Sequence, residues 1–391
     1  MTLNALPRQL VDLLGTPVSV GRKAVSALAV VVILSWLHPA HARVAASRAD
    51  VVTISYTSGL LSQFWGAPTE MKAAAFVPVG CRQAAVKCPV LYHLPGYGGS
   101  LRTAWSTLRD FARPSARVPR LAMAHVFLDP SFHGGYSYFT DSENNGPWDS
   151  ALTQEFIPYV EGLLDVGGSG AHRFLEGVSS GGWTVMWLQV SNPDFFRAVW
   201  AIAPDPLDFR HFYEVDVTPG STDNFYTKPD GSPRFLTRGG DITMKRLMQH
   251  VDNHPSRGGI ISSYEFAWSP RGPDGLPLRF FDRRDGRLVE PTLGAWQAFD
   301  VHTVLAAGGE ALRGALAGKI NIYCGTEDDF FYNEPTAAMC AFLRRNHYVA
   351  VCRLVPGATH DTILFPSNLA PAGLERLVLG QASRIARGEG P

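Results

Sequence analysis

One serine in this 391-residue chain stands in a setting that can activate it. The stretch Gly177-Val178-Ser179-Ser180-Gly181-Gly182 has the form G-x-S-x-G. A short apolar run, Phe174-Leu175, leads into it, and a helix-like run from Trp183 to Val190 follows. Strand, sharp turn and helix put a serine hydroxyl at the apex of a strained bend, the arrangement a nucleophile elbow needs. The glycines have steric work there, since a side chain at Gly177 or Gly181 collides where the helix folds back over the strand. The string alone is short and built from common residues, so its meaning depends on partners elsewhere.

A serine hydroxyl is a weak nucleophile at neutral pH. It needs a base within hydrogen-bond reach, and the base needs an acid to orient it. His360 follows a late apolar strand, in Pro356-Gly357-Ala358-Thr359-His360-Asp361, and is the candidate base among twelve histidines. Three adjacent acids, Glu327, Asp328 and Asp329, follow the preceding strand and offer the orienting carboxylate. The amide of Ser180 and one from the turn Pro95-Gly96-Tyr97-Gly98-Gly99, at Gly96 or Tyr97, are candidates for an oxyanion hole. That turn also reads as a plain tight turn; a phosphate cradle is disfavoured because no G-K-[ST] follows. Trp148, Trp183 and Asn145 are candidate substrate contacts. The alternatives are core packing for the tryptophans and helix capping for Asn144 and Asn145. Glu176, an acid inside a buried strand, needs a partner.

These groups must be carried by elements that bring them together. Apolar runs predict strands over Val51–Tyr56, Met71–Val79, Pro89–Leu94, Leu121–Leu128, Phe196–Ala203, Lys319–Cys324 and Tyr348–Val355, besides the one entering Ser179. Helical patterns cover Leu101–Phe111, a stretch beginning at Ser150, Trp183–Val190, Pro335–Arg345 and about Pro371–Ile385. The alternation predicts a mostly parallel, doubly wound sheet with helices on both faces, whose function sits beyond the carboxyl ends of the strands. Between about Leu207 and Asp300 the pattern loosens, only Met244–Val251 looks helical, and aromatic residues are frequent. This stretch reads as an irregular, lid-like insertion over the strand ends. The chain order serine, acid, histidine is the order of an α/β-hydrolase.

Composition narrows the class further. Hydrophobic residues make up 46% of the chain, enough for a large core, and 35 Lys+Arg balance 35 Asp+Glu. A neutral balance without a basic stretch argues against nucleic acid as partner. Arg22-Lys23, the apolar run Ala24–Leu37 and Ala40-His41-Ala42 resemble a secretory signal peptide over residues 1–42, ahead of one domain over 43–391. The apolar run is shorter than the about 20 residues of a membrane span, so no stable span is expected after processing; retention as an anchor is the alternative. The chain is expected to be exported, either periplasmic or secreted. Of five cysteines, Cys81 and Cys88 flank a short polar loop and could close a ring, Cys340 and Cys352 lie on a helix and the next strand, and Cys324 is left over. Spacing alone leaves their connectivity open. No C-x-x-C occurs, which disfavours structural zinc.

The chain resembles the Putative esterase family of α/β-hydrolases, which includes esterase D, enterochelin-esterase-like enzymes, feruloyl esterase modules and mycolyl-transferring antigens. The resemblance runs from about residue 50 to 365. It rests on Pro89-Val90-Leu91-Tyr92-His93-Leu94-Pro95-Gly96, on Gly177 to Trp183, on Pro193-Asp194-Phe195-Phe196, on Ala203 to Arg210, and on Gly325-Thr326-Glu327-Asp328-Asp329-Phe330. It is closest to an exported bacterial subgroup sharing Asn144 to Trp148 and Ser269 to Gly275. In the family's G-T-x-D-x-F pattern the aspartate is the triad acid, which implies Asp328. Many relatives have His-Gly where this chain has Pro95-Gly96, and a polar residue where Val178 stands. The resemblance implies no metal and no organic cofactor. It implies a serine carboxylic-ester hydrolase acting through an acyl-enzyme on a small-molecule or glycan- or lipid-linked ester. Acyl transfer by the same three residues, and a catalytically inactive binding protein, are the alternatives.

Overall fold

A computed structural model describes residues 51–82, 87–102, 104, 123–252 and 259–389. The expected leader over residues 1–42 and most of the helix expected over 101–111 lie outside the described residues.

Eight strands form one sheet: β1 (Val52–Ser58), β2 (Thr69–Phe76), β3 (Val90–Leu94), β4 (Ala124–Leu128), β5 (Arg173–Val178), β6 (Ala198–Ile202), β7 (Ile320–Gly325) and β8 (Ala350–Val355). Their spatial order is β1-β2-β4-β3-β5-β6-β7-β8. β2 runs antiparallel to both its neighbours, and the pairings from β4 across to β8 are parallel. β3, β6 and β7 are buried along their whole length. That is why AVWAI reads as an unbroken apolar run and VLYHL as one broken only by His93, the mark of strands covered on both faces. The order and the parallel pairing are those of an α/β-hydrolase fold.

The register puts the functional loops at one level. Leu94 pairs with Gly177, Gly177 with Ala201, Ala201 with Ile322, and Ile322 with Cys352. Five strands therefore end side by side, and whatever follows each of them emerges along one edge. Side chains alternate between faces along a strand. Gly177 lies under the helix Ser180–Ser191, whereas Trp200, one residue before Ala201, donates its indole N–H to Gln381 in the helix Leu374–Ala386 at 2.7 Å. These two helices thus cover opposite faces.

Other helical parts include a run over 148–164, wound as a π-helix over Leu152–Phe156, and the helix Asn333–Arg345 between β7 and β8. The stretch 207–300 is more ordered than its sequence pattern predicts. It holds helices not only at Met244–Asp252 but also at Ile260–Trp268 and Glu290–Trp296. The apolar spacing of Ile261, Tyr264, Ala267 and Trp268 is helical, but it is hidden among aromatic residues that favour strands in isolation. Trp268 packs on Trp296, Phe209 and Tyr264, so this stretch has an aromatic core of its own.

Cys81–Cys88 and Cys340–Cys352 are disulfide-bonded, each with Cα atoms 5.3 Å apart, and Cys324 is a buried free thiol. Among the described residues no helix is long and apolar enough to cross a membrane.

Candidate active site

β5 delivers Ser179 at φ 58° and ψ −124°, a backbone conformation that costs a non-glycine residue about 1–3 kcal/mol. The surroundings hold it there. Its N–H donates to the Ile202 carbonyl at 2.9 Å, and its carbonyl accepts from Trp183 N at 3.1 Å and Asp205 N at 3.2 Å. The flanking glycines are sterically required. A Cβ on Gly177 would lie 2.2 Å from the Gly181 carbonyl oxygen, and one on Gly181 would lie 2.2 Å from that of Leu94.

The turn after β3 closes over the serine. Gly99 N donates to the Gly96 carbonyl at 3.0 Å, and Gly98 takes φ +80°, where glycine is at no disadvantage. Gly96 comes so close that a Cβ there would sit 3.0 Å from the Ser179 Cβ. Tyr136 anchors this turn by donating its hydroxyl to the Pro95 carbonyl at 2.7 Å.

On the far side, the loops after β7 and β8 bring an acid to an imidazole. His360 Nδ1 lies 2.8 Å from Asp328 Oδ2. Asp328 has no exposed surface, and its Oδ1 accepts from Phe330 N at 3.0 Å and Tyr332 N at 3.3 Å. Its neighbours do other things: Asp329 accepts the His360 backbone N–H at 3.1 Å, and Glu327 is exposed. Of the three acids, Asp328 is the one whose carboxylate meets the imidazole. Burial works against a charged imidazole at His360, but the hydrogen bond and charge of Asp328 outweigh it, so its pKa stands above the usual 6.5. Phe330 and Tyr332 meet the imidazole edge-on, with ring centroids 4.8 and 5.5 Å away.

Ser179 and His360 open into the same cavity, of about 790 Å³. Gly96 and Tyr97 line it beside the serine, and Leu236, Leu247, Ile260, Ile261 and Leu364 form much of the wall. Seven of the lining residues come from the stretch 207–300, among them Tyr213, Leu236, Leu247, His250 and Ile261.

The three residues expected to touch substrate are placed elsewhere. Trp148 and Trp183 are buried and do not line the cavity. Trp183 stacks with Trp187 and packs on Trp268 and Tyr138, and Trp148 packs on Phe132 and Phe139. Asn145 donates to the Ser137 carbonyl at 2.6 Å, and Asn144 donates to the Ser269 carbonyl at 2.7 Å. They brace their loop and are not helix caps: Pro147 holds the cap position. Ser180 opens the helix after Ser179 and is fully buried, with its hydroxyl on Asp205. Glu176 meets His93 Nδ1 at 2.9 Å, and His93 Nε2 meets His125 Nδ1 at 3.0 Å. Burial raises the Glu176 pKa to about 8 and lowers that of His93 to about 3.

Asp208, Asp300 and His302 converge away from this cavity, their ligand atoms within 4.8 Å of one another. Arg210 already lies among them, 2.5 Å from Asp208 Oδ2 and 3.0 Å from His302 Nε2. A guanidinium in that position makes the cluster an ion-pair network.

Tyr213, Tyr332 and His250 of the cavity, and Asp205 beside Ser180, carry no spacing along the chain that marks them. Only Asp205 leaves a trace, as an acid between two prolines at a strand end.

The sequence profile of the family described as Putative esterase matches residues 66–361. A ferulic acid esterase structure superposes with a TM-score of 0.52 at 16% identity, covering 87% of this chain and all of that one. An S-formylglutathione hydrolase from Agrobacterium tumefaciens gives 0.48 at 15% identity, covering 87% and 97%. FphF, a fluorophosphonate-binding serine hydrolase of Staphylococcus aureus, gives 0.47 at 10% identity, covering 87% and 99%. No curated protein matches the sequence.

Proposed function

The chain belongs to the Putative esterase family, and from that premise we propose that this serine esterase works through an acyl-enzyme at Ser179. In this reading His360 is the general base and Asp328 holds it in place. The observation that carries it is the Asp328–His360 contact of 2.8 Å beside a cavity that Ser179 shares.

The chemistry runs in two halves. Ser179 Oγ attacks the ester carbonyl carbon while His360 Nε2 takes its proton. Asp328 accepts from Nδ1–H and so keeps Nε2 as the free acceptor. The tetrahedral oxyanion is met by the amides of Ser180 and of the Gly96–Tyr97 turn. Collapse breaks the bond to the alcohol oxygen, which leaves with the proton from Nε2. Water then attacks the acyl carbonyl, delivering its proton to Nε2, and Ser179 is released with that proton returned. The wall of aliphatic and aromatic side chains favours an ester with a bulky apolar group, because burying such a group gives roughly 25 cal/mol per Å².

The same reading places the enzyme outside the cytoplasm. Arg22-Lys23 followed by the apolar run to Leu37 supports export. The two disulfides support it independently, since such bonds persist in oxidising compartments.

The test is a fluorophosphonate probe read by intact mass. One equivalent is expected on Ser179, and none on Ser179→Ala, which also loses hydrolysis of an aryl ester while keeping its fold. Undiminished hydrolysis by purified Ser179→Ala overturns the proposal.

A further inference from the structure

Beside the Ser179 elbow lies a second carboxylate that the mechanism above leaves unused; its charge helps to raise the His360 pKa, but it makes no hydrogen bond to the imidazole. β6 ends at Ile202 and the chain turns through Ala203 at φ 41° into Pro204-Asp205-Pro206. Asp205 is fully buried. One oxygen, Oδ2, accepts from the Ser180 hydroxyl at 2.7 Å, the Tyr264 hydroxyl at 2.8 Å and the Tyr138 hydroxyl at 2.9 Å. The Tyr138 hydroxyl is also 3.1 Å from Ser180 Oγ, which closes a triangle. The Asp205 backbone N–H donates to the carbonyl of Ser179 itself.

The partners of this carboxylate among the described residues are hydroxyls, and its Oδ1 has no hydrogen-bond partner among them. A buried carboxylate in such a setting is not what stability calls for, since apolar groups of the same shape serve as well or better. What it does do is local. It grips the residue whose amide faces the oxyanion in the proposed mechanism, and it is bonded to the strained residue before it. His360 Nδ1 is already taken by Asp328, so Asp205 is no alternative orienting acid. The cage continues outward through hydroxyls, Tyr264 to Tyr213 at 3.2 Å and Tyr213 to Tyr332 at 2.7 Å, ending at a ring that packs on His360. Tyr136, two residues before Tyr138, holds the opposing turn through the Pro95 carbonyl. One loop thus braces both sides of the oxyanion site.

We propose that Asp205 is a positioning residue for ester hydrolysis: by holding the Ser180 hydroxyl and the Ser179 carbonyl it fixes the nucleophile and the Ser180 amide in their working geometry. This rests on Ser179 being the nucleophile. Displacing catalytic groups by about 1 Å costs on the order of 100-fold in rate, so loss of this grip reads out in turnover and not in substrate binding.

The experiment measures the second-order rate of fluorophosphonate labelling, kcat and KM for an aryl ester, and the thermal midpoint, for the wild type, Ser180→Ala, Asp205→Asn and Asp205→Ala. Labelling forms an Oγ–phosphorus bond at Ser179 and releases fluoride, so it reports the elbow directly. Ser180→Ala is expected to lower the labelling rate and kcat roughly 10-fold or more, with KM within about threefold of wild type. Asp205→Ala falls further. Asp205→Asn lies between Asp205→Ala and wild type, because its amide oxygen accepts the same three hydroxyls while its NH2 takes the unpartnered Oδ1 position. Folded Ser180→Ala and Asp205 variants that label at the wild-type rate overturn the proposal, as do rate losses that only follow the unfolded fraction. If Asp205→Ala fails to fold, the other two variants decide. A wild type that never labels overturns the reading of Ser179 and this proposal together, whereas a labelled wild type with unaffected variants overturns this proposal alone.

Discussion

Asp328 and His360, held 2.8 Å apart, sit on loops that leave two neighbouring strands of one sheet. Nothing in the chain between residues 328 and 360 makes that distance short. It follows from the pairing of Gly325 with Val355, after which both loops turn back over the same edge.

That contact predicts a pH profile. A base works only when neutral, and His360 has its pKa above 6.5, so kcat/KM is expected to rise along an acid limb with a midpoint above 6.5. Asp328→Asn removes the charge that holds the pKa up and leaves the burial that lowers it. Its limb should move to lower pH, with Asp205 and Asp361 still opposing part of the shift, and kcat should fall by roughly 10³–10⁴-fold through the wrong tautomer. An unchanged limb in Asp328→Asn excludes Asp328 as the orienting acid.

The elbow predicts a steric effect separable from helix propensity. Gly181→Ala places a methyl group 2.2 Å from the Leu94 carbonyl oxygen, a backbone atom that cannot move aside alone. We expect destabilisation of about 1–3 kcal/mol together with lost turnover. Gly314→Ala, in a helix where an added Cβ meets nothing within 4 Å, serves as the comparison. It should be neutral or stabilising by up to about 1 kcal/mol. Urea unfolding with activity assays distinguishes the two.

Glu176 predicts a stability that declines as pH rises. Its folded pKa of about 8 exceeds the usual 4.5, so the folded state binds the extra proton, and stability is lost as pH climbs from 4.5 through 8. His93, with a folded pKa of about 3 against 6.5, contributes the opposite slope below 6.5. Between 6.5 and 8 His93 no longer opposes Glu176, while His360, raised above 6.5, and Asp149, raised to about 7, add slopes of the same sign, so the difference from Glu176→Gln isolates the Glu176 share. Thermal midpoints across that window should fall in the wild type and stay flatter in Glu176→Gln.

The cavity wall predicts selectivity by size. Leu247 lines the cavity from the helix Met244–Asp252, and Leu247→Trp fills part of the space. Hydrolysis of an aryl ester with a bulky acyl group should drop about 10-fold or more, while the acetate stays within a few-fold. Equal losses for both esters place the acyl group elsewhere.

The sheet was legible in the sequence because its central strands are covered on both faces, which leaves Ala198–Ile202 without a polar interruption and Val90–Leu94 with only His93. The elbow was legible because steric contact between backbones demands glycine at positions 177 and 181. The binding wall was not. Trp148, Trp183 and Asn145 are near the serine in the chain or of a suitable type, yet each satisfies packing or backbone hydrogen bonds away from the cavity. Leu236, Leu247 and Ile261 carry no chemical signature, and only the folding of 207–300 brings them to the site.

By itself, then, the sequence determined what is local or periodic: the strands, the glycine-flanked serine, and a histidine and an acid cluster at strand ends in a workable order. The tertiary structure alone decided which acid meets the imidazole, what surrounds the ester, and that Asp205 grips Ser180. Those outcomes are distances between segments far apart in the chain. They are set by strand register and by how side chains of ordinary type share one buried space, and neither leaves a spacing that can be read along the chain.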